Sequence, residues 1–169
     1  MHLYHLTVQP PTLISHLLTG SFTGTPKQQE IVLIRGDRFI ETVRVNGGRL
    51  EQIKIVTSSP EENTGNNNGG FSSAAVQPLF GTIRSIALLK VPGESNRDYL
   101  VVGSDSGATV ILALKASSLN GFWSWERVAG MTHGRSGSRR AIPGQMIAVD
   151  PRGRALLTAA LESKKFAHT

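Results

Sequence analysis

The segment Tyr99–Leu114 constrains the fold more than any other part of the chain. Two apolar, β-branched runs, Tyr99-Leu100-Val101-Val102 and Ala108-Thr109-Val110-Ile111-Leu112-Ala113-Leu114, flank the cluster Gly103-Ser104-Asp105-Ser106-Gly107. This is a β-hairpin pattern, because Asp and Ser side chains bond to nearby backbone and Gly accepts the positive φ of a tight reversal. In the second arm Val110, Leu112 and Leu114 share one face, while Ile111 and Ala113 occupy the other. Neither face is polar, as one would be in a sheet with one side in water. A strand apolar on both faces needs one sheet packed above it and another below.

The same layout occurs upstream, where Glu30–Val45 contains an apolar arm, a Gly36-Asp37 turn and a second arm. Ile31 and Leu100 stand about 70 residues apart, but an Asn/Gly/Ser-rich insert of about 20 residues, Ser58–Gln77, lies between them. Without it the spacing falls to about 50, close to the roughly 40 to 50 residues of a propeller repeat. A third unit follows: Gln145–Val149, the turn Asp150-Pro151-Arg152-Gly153-Arg154, and Ala155–Leu161. Its register within a repeat has two readings, since Met146–Val149 also matches Ile86–Leu89, which makes Leu156–Leu161 the equivalent of Leu100 onward. Closed propellers have about 4 to 8 four-stranded blades, and this chain holds about two and a half repeats. The expected fold is all-β, with residues 1–169 forming part of a β-propeller whose ring this chain does not close.

The remaining segments fit between these units. Met1–Val8 reads as a short strand closed by Pro10-Pro11, without the charged and apolar regions of a signal peptide. No stretch approaches the ~18 apolar residues of a membrane span, so a soluble protein without a membrane partner is expected. Thr12–Leu18 suggests a helical turn, and the run through Gly20, Gly24 and Pro26 a loop. Asn46-Gly47-Gly48 predicts a second turn, followed by an outer strand over Arg49–Val56. Ser58–Gln77 has scarcely a large apolar residue. It cannot bury enough surface to offset its ordering entropy and reads as a flexible loop within the domain. A strand is expected over Phe80–Leu89, ahead of a Pro92-Gly93 turn. Trp123 and Trp125 share one face of a strand over Phe122–Ala129, where packing between blades accounts for them better than an exposed stacking platform.

The chain carries 18 Lys and Arg against 12 Asp and Glu, a net charge of +6. The whole excess lies after residue 126, where Arg127, Arg135, Arg139, Arg140, Arg152, Arg154, Lys164 and Lys165 face only Asp150 and Glu162. Gly134-Arg135-Ser136-Gly137-Ser138-Arg139-Arg140 is a candidate contact for a partner or RNA, because Gly/Ser backbone lets guanidinium groups converge on an anion. Other apparent motifs fail. Asp105-Ser106-Gly107 lacks the second Gly and the positioned base of a serine nucleophile. Arg35-Gly36-Asp37 sits at a hairpin turn, and His2 and His5 on one strand point to opposite faces and hold no metal. Gly130–Ser138 lacks the order of a phosphate loop. With no Cys, a disulfide scaffold and thiolate metal sites are excluded. Neither an enzyme, nor a cofactor, nor a small-molecule substrate is indicated.

Several of these stretches carry a resemblance. Leu3-Tyr4-His5-Leu6-Thr7, Gly24–Val32, Phe80–Ser85, Tyr99–Gly107, Gly134–Arg140 and Pro143–Ala155, taken together and in collinear order, resemble the N-terminal region of the splicing factor 3b subunit 3 family. The large subunits of the damaged-DNA-binding complex and of the cleavage and polyadenylation specificity factor share the architecture and fit these motifs less well. Departures are the Asn-rich insert, Ser138 at a usual Cys and the Trp123/Trp125 pair. Family members are many times longer, with three propellers and a helical C-terminal domain. The resemblance implies the N-terminal part of a propeller and a nuclear, non-enzymatic scaffold in the splicing factor 3b complex of the U2 small nuclear ribonucleoprotein. Its implied partners are the other splicing factor 3b subunits and spliceosomal proteins near RNA, in support of branch-site recognition. The alternatives are direct RNA binding through the basic C-terminal loops, or a ubiquitin-ligase adaptor like the damaged-DNA-binding relative.

Overall fold

The computed structural model describes residues 12–53, 55, 76–78, 81–93, 96–105, 107–116, 121–133, 147–161 and 164–169. The expected strand at Met1–Val8, residues 58–75 of the insert, and Arg135, Arg139 and Arg140 lie outside the described residues. Regular structure among the described residues is entirely β, arranged in three antiparallel sheets. The first holds β1 (Ile14–Gly20), β2 (Glu30–Arg35), β3 (Phe39–Asn46), β4 (Arg49–Gln52) and β5 (Val76–Pro78). The second follows as β6 (Ile83–Lys90), β7 (Asp98–Ser104), β8 (Ala108–Ala116) and β9 (Trp123–Thr132). The third contains β10 (Ile147–Val149), β11 (Leu156–Leu161) and β12 (Lys164–His168). In each sheet the strands pair in chain order, apart from β5, which pairs back to β3.

Turn chemistry sets the registers. Gly36 and Asp37 have φ of 55° and 58°, and Gly47 and Gly48 have 56° and 80°. These are the left-handed pairs whose twist matches that of the hairpin strands they join. The 36–37 turn places Arg35 opposite Phe39, and the 47–48 turn places Asn46 opposite Arg49.

The second sheet is buried on both faces, as the hairpin pattern requires. On one side Leu100, Val102, Leu112, Leu114 and Trp125 pack with Phe22, Val32, Ile34 and Ile40 of the first sheet and its loop. On the other, Val101 packs with Ile147 and Leu156 of the third sheet, flanked by Ala87, Leu89 and Ile111. Gly103 fits this second seam because a Cβ there would come within 2.9 Å of Ile147 Cδ1. Fully burying one such aliphatic side chain contributes about 1.5–3 kcal/mol, so these two seams are the main cohesion between sheets.

The first strands of the three sheets adjoin, β6 touching β1 on one side and β10 on the other. Strands that meet at one edge while their sheets stack face to face form a radial array of blades, left open here. The contact also resolves the third unit's register: β10 takes the place of β6, and Leu156–Leu161 is the counterpart of β7.

The expected helical turn at Thr12–Leu18 is corrected: β1 is a strand paired with β2 through Gly20↔Glu30 to Ile14↔Arg35, with a bulge between Ile14 and His16. Its backbone is satisfied across the sheet, as Gly36 N–H donating to the Leu13 carbonyl at 3.0 Å continues beyond the strand. Sheet pairing prevails over local preference here, because β-branched Thr12 and Ile14 disfavour a helix and the strand completes the inner edge of the blade. The outer strand foreseen over Arg49–Val56 is shorter and divided. β4 pairs with Val43–Asn46, the Ile53 N–H donates to the Thr42 carbonyl at 2.8 Å, and β5 then resumes along Phe39–Glu41. Val76 and Gln77, the last two residues of the expected loop, therefore belong to a strand. Between the two halves Ile55 is fully buried and bridges to Trp123 of the second sheet.

Candidate interaction surface at the blade junctions

The three sequence-predicted arginines lie outside the described residues, but both ends of the segment that carries them are fixed. At the near end the His133 N–H donates to the Gly107 carbonyl at 2.8 Å. His133 Nε2 lies 3.2 Å from the hydroxyls of Thr109 on β8 and Thr158 on β11. Its ring stands 5.5 Å from that of His168, tilted by 39°. At the far end Ile147 is 2% exposed in the seam against Gly103. The residue before the basic segment and the residue after it thus both sit at the junction of the second and third sheets, on the side that carries the β7–β8 turn.

This histidine joint was not foreseen. Burial, and then the like charge of His168, hold the His133 imidazole below its usual range, since desolvation disfavours the charged ring. His168 Nε2 is buried without a hydrogen-bond partner among the described residues. The four side chains come from positions 109, 133, 158 and 168, on two sheets, so no local spacing marks them.

The other junction is equally specific. Trp125 is 4% exposed, its indole N–H donates to Thr42 Oγ1 at 3.1 Å, and its ring meets Phe22 edge-on at 5.4 Å. The tryptophan is therefore packing between blades, as its position on the strand suggested. Trp123 is half-buried beside the same core.

The motif-like tripeptides are structural. Asp105 Oδ1 accepts the Thr82 N–H at 2.9 Å, and the Asp105 N–H donates to the Thr82 carbonyl at 2.9 Å, tying the hairpin turn to the strand before it. Arg35 binds Glu41 and donates to the Thr12 carbonyl at 3.1 Å. Among the described residues no three His, Cys, Asp or Glu side chains gather as metal ligands. Among the described residues no helix is long and apolar enough to cross a membrane. What the geometry offers is stacked, rigid sheets with loops at both ends, a surface suited to docking.

Comparison with known proteins places this architecture. Residues 13–168 match the model of the RSE1/DDB1/CPSF1 first beta-propeller. The chain is 40% identical over 168 residues to splicing factor 3B subunit 3 of Danio rerio, covering 99% of this chain and 12% of that protein. It is 38% identical over 168 residues to the probable splicing factor 3B subunit 3 of Dictyostelium discoideum, covering 99% and 11%. To the pre-mRNA-splicing factor RSE1 of Mycosarcoma maydis it is 40% identical over 164 residues, covering 96% and 11%. The chain thus spans about an eighth of the length of the curated relatives it matches. Three sheets stacked about a shared inner edge, paired in chain order and matched over nearly their whole length, assign the chain to the RSE1/DDB1/CPSF1 first beta-propeller family.

Proposed function

We propose that the chain serves as a non-enzymatic scaffold in pre-mRNA splicing, within the splicing factor 3b complex of the U2 small nuclear ribonucleoprotein, supporting branch-site recognition in the nucleus. The observation that carries this reading is the collinear similarity, over 99% of the chain, to proteins named splicing factor 3B subunit 3. The fold is consistent with it, because blades hold loops and edges in fixed positions without supplying chemistry. Its partners on this reading are other splicing factor 3b subunits and spliceosomal proteins, with RNA nearby and no small-molecule substrate. Affinity purification of the tagged protein from nuclear extract tests it. Recovery of U2 RNA with other splicing factor 3b subunits is expected; recovery of a cullin without that RNA favours the ubiquitin-ligase alternative instead.

Within this reading Arg135, Arg139 and Arg140 serve protein contact more than nucleic acid. Replacing all three with Ala is expected to weaken complex assembly more than RNA affinity. The excess of cations after residue 126 favours the second reading, direct RNA binding. A selective loss of RNA affinity in the triple variant, with a steep salt dependence in the parent, would establish it.

A further inference from the structure

The connections from first to second strand in the three sheets touch one another and make a continuous rim. Residues 21–29 join β1 to β2, residues 91–97 join β6 to β7, and residues 150–155 join β10 to β11. Between the first two, the Ser21 N–H donates to Asp98 Oδ2 at 2.8 Å, the Asp98 N–H returns to the Ser21 carbonyl at 2.9 Å, and Ser21 Oγ donates to the Asn96 carbonyl at 3.2 Å. Between the second and third, Gly153 (φ 69°) lies so close to the Lys90 carbonyl that a Cβ would collide with it.

A cleft of about 210 Å³ opens in this rim, with Lys27, Lys90 and Arg97 around it and Ser21, Asn96 and Asp98 also lining it. Its shape is fixed in advance. The Glu30 carboxylate, wholly buried, accepts the N–H groups of Phe22 at 2.8 Å and Thr23 at 3.2 Å and the Thr23 hydroxyl at 2.6 Å, anchoring the start of the loop. Lys27 sits at φ 60°, an uncommon conformation for a residue with a Cβ. The three cations form no ion pair with a described acidic group, and Asp98, the one carboxylate among the described lining residues, is 8% exposed and engaged by Ser21. Exposed Arg152, beside Gly153, extends the positive charge along the rim, whereas Arg154 is paired with Asp150 at 2.7 Å.

We infer that this rim docks an acidic segment of a protein partner, seating Asp or Glu carboxylates in the cleft. Charge complementarity selects the anion, since cations that pair with no described carboxylate, set beside a preformed pocket, attract and orient an opposite charge. Peptide is favoured over single-stranded RNA because RNA recognition stacks bases on exposed aromatic rings. None of the aromatic side chains whose burial is described is exposed: Phe22 and Trp125 are buried, and Phe39, Tyr99, Phe122 and Trp123 are intermediate. The rim lies at the end opposite His133 and Ile147, the described residues that flank the arginine segment.

The test is fluorescence anisotropy with fluorescein-labelled hexaglutamate on the intact protein, with labelled hexauridine in parallel. Lys27→Glu with Arg97→Glu should weaken hexaglutamate binding about tenfold or more, and raising the salt should weaken it in the parent. Lys27→Gly removes one charge while suiting the positive φ; it should weaken binding about threefold with an undiminished melting temperature. The Arg135, Arg139 and Arg140 triple Ala variant should bind as the parent does. Undetectable binding by the parent, or binding unchanged in the double and Gly variants, overturns the site. Tighter binding of hexauridine, lost in the same variants, overturns the peptide assignment.

Discussion

The hydrogen bond from Trp125 to Thr42 joins the first and second sheets through two side chains that are 4% and 0% exposed, and its contribution can be isolated. Thr42→Val keeps the shape of the side chain but removes the acceptor. Leaving a buried N–H without a partner costs about 1–3 kcal/mol. Trp125→Phe removes the donor and part of a ring that packs on Phe22 at 5.4 Å, for a cost of about 2 kcal/mol by comparison with other losses of core volume. In the double variant nothing remains unsatisfied at the joint. Its cost should therefore fall short of the sum of the single costs by about 1 kcal/mol. Urea denaturation of the intact protein followed by circular dichroism, with the slopes held equal across the four proteins, gives the coupling. Single costs that add to within about 0.3 kcal/mol would refute the reasoning, because independent sites add and a shared buried hydrogen bond does not.

Three further outcomes are expected. Deleting residues 57–75, while keeping Ile55 and the β5 pairing, should change the melting temperature little, since each halving of loop length alters closure entropy by only about 0.6 kcal/mol; loss of folding would show that the segment contributes to the core. Residues 1–169 alone should associate or melt early, because Leu17, Val45 and Leu50 on the open face of the first sheet are 59%, 55% and 69% exposed; a monodisperse monomer by sedimentation with one cooperative transition would count against an open ring. The depressed pKa of His133 means that the unfolded chain binds the proton more readily than the folded one, so stability is held above the ordinary imidazole pKa near 6.5 and falls as the pH drops below it. The fall in melting temperature between pH 7.5 and 5.5 should be smaller in His133→Gln, and an equal fall would rule out this imidazole as its source.

The fold was most legible where both faces of a strand are apolar and the turn residues are distinctive. Val101 and Val102 point to different sheets, and that alternation is written in the sequence as an unbroken apolar run. Gly36-Asp37 and Gly47-Gly48 likewise announce their turns, because few other pairs tolerate two successive positive φ angles. β1 was hidden because Ile14 and Leu17 are 45% and 59% exposed, which spoils the alternation, and because its pairing with Glu30–Arg35 spans a loop. β5 was hidden inside a composition break, being three residues that gain their conformation from β3. The candidate sites were less legible still. The cations of the rim, Lys27, Arg97 and Arg152 on three connections and Lys90 at the end of β6, are brought together only by the stacking of sheets, and His133 and His168 meet across 35 positions. Side-chain chemistry assembled by tertiary contact leaves no periodic trace along the chain.

The divided outer strand has a mechanical consequence. Its two halves, β4 and β5, lie along one neighbour, β3, at the outer edge of the first blade, while β1, β6 and β10 meet at the opposite, inner edge. A change in the number of residues between the two halves acts at the end of a lever and is absorbed by the last strand, not by the hub. The wheel can therefore gain or lose material at this point without altering the angles between its spokes. The same gap is the natural place to graft a fluorophore or an affinity handle when the intact assembly has to be followed.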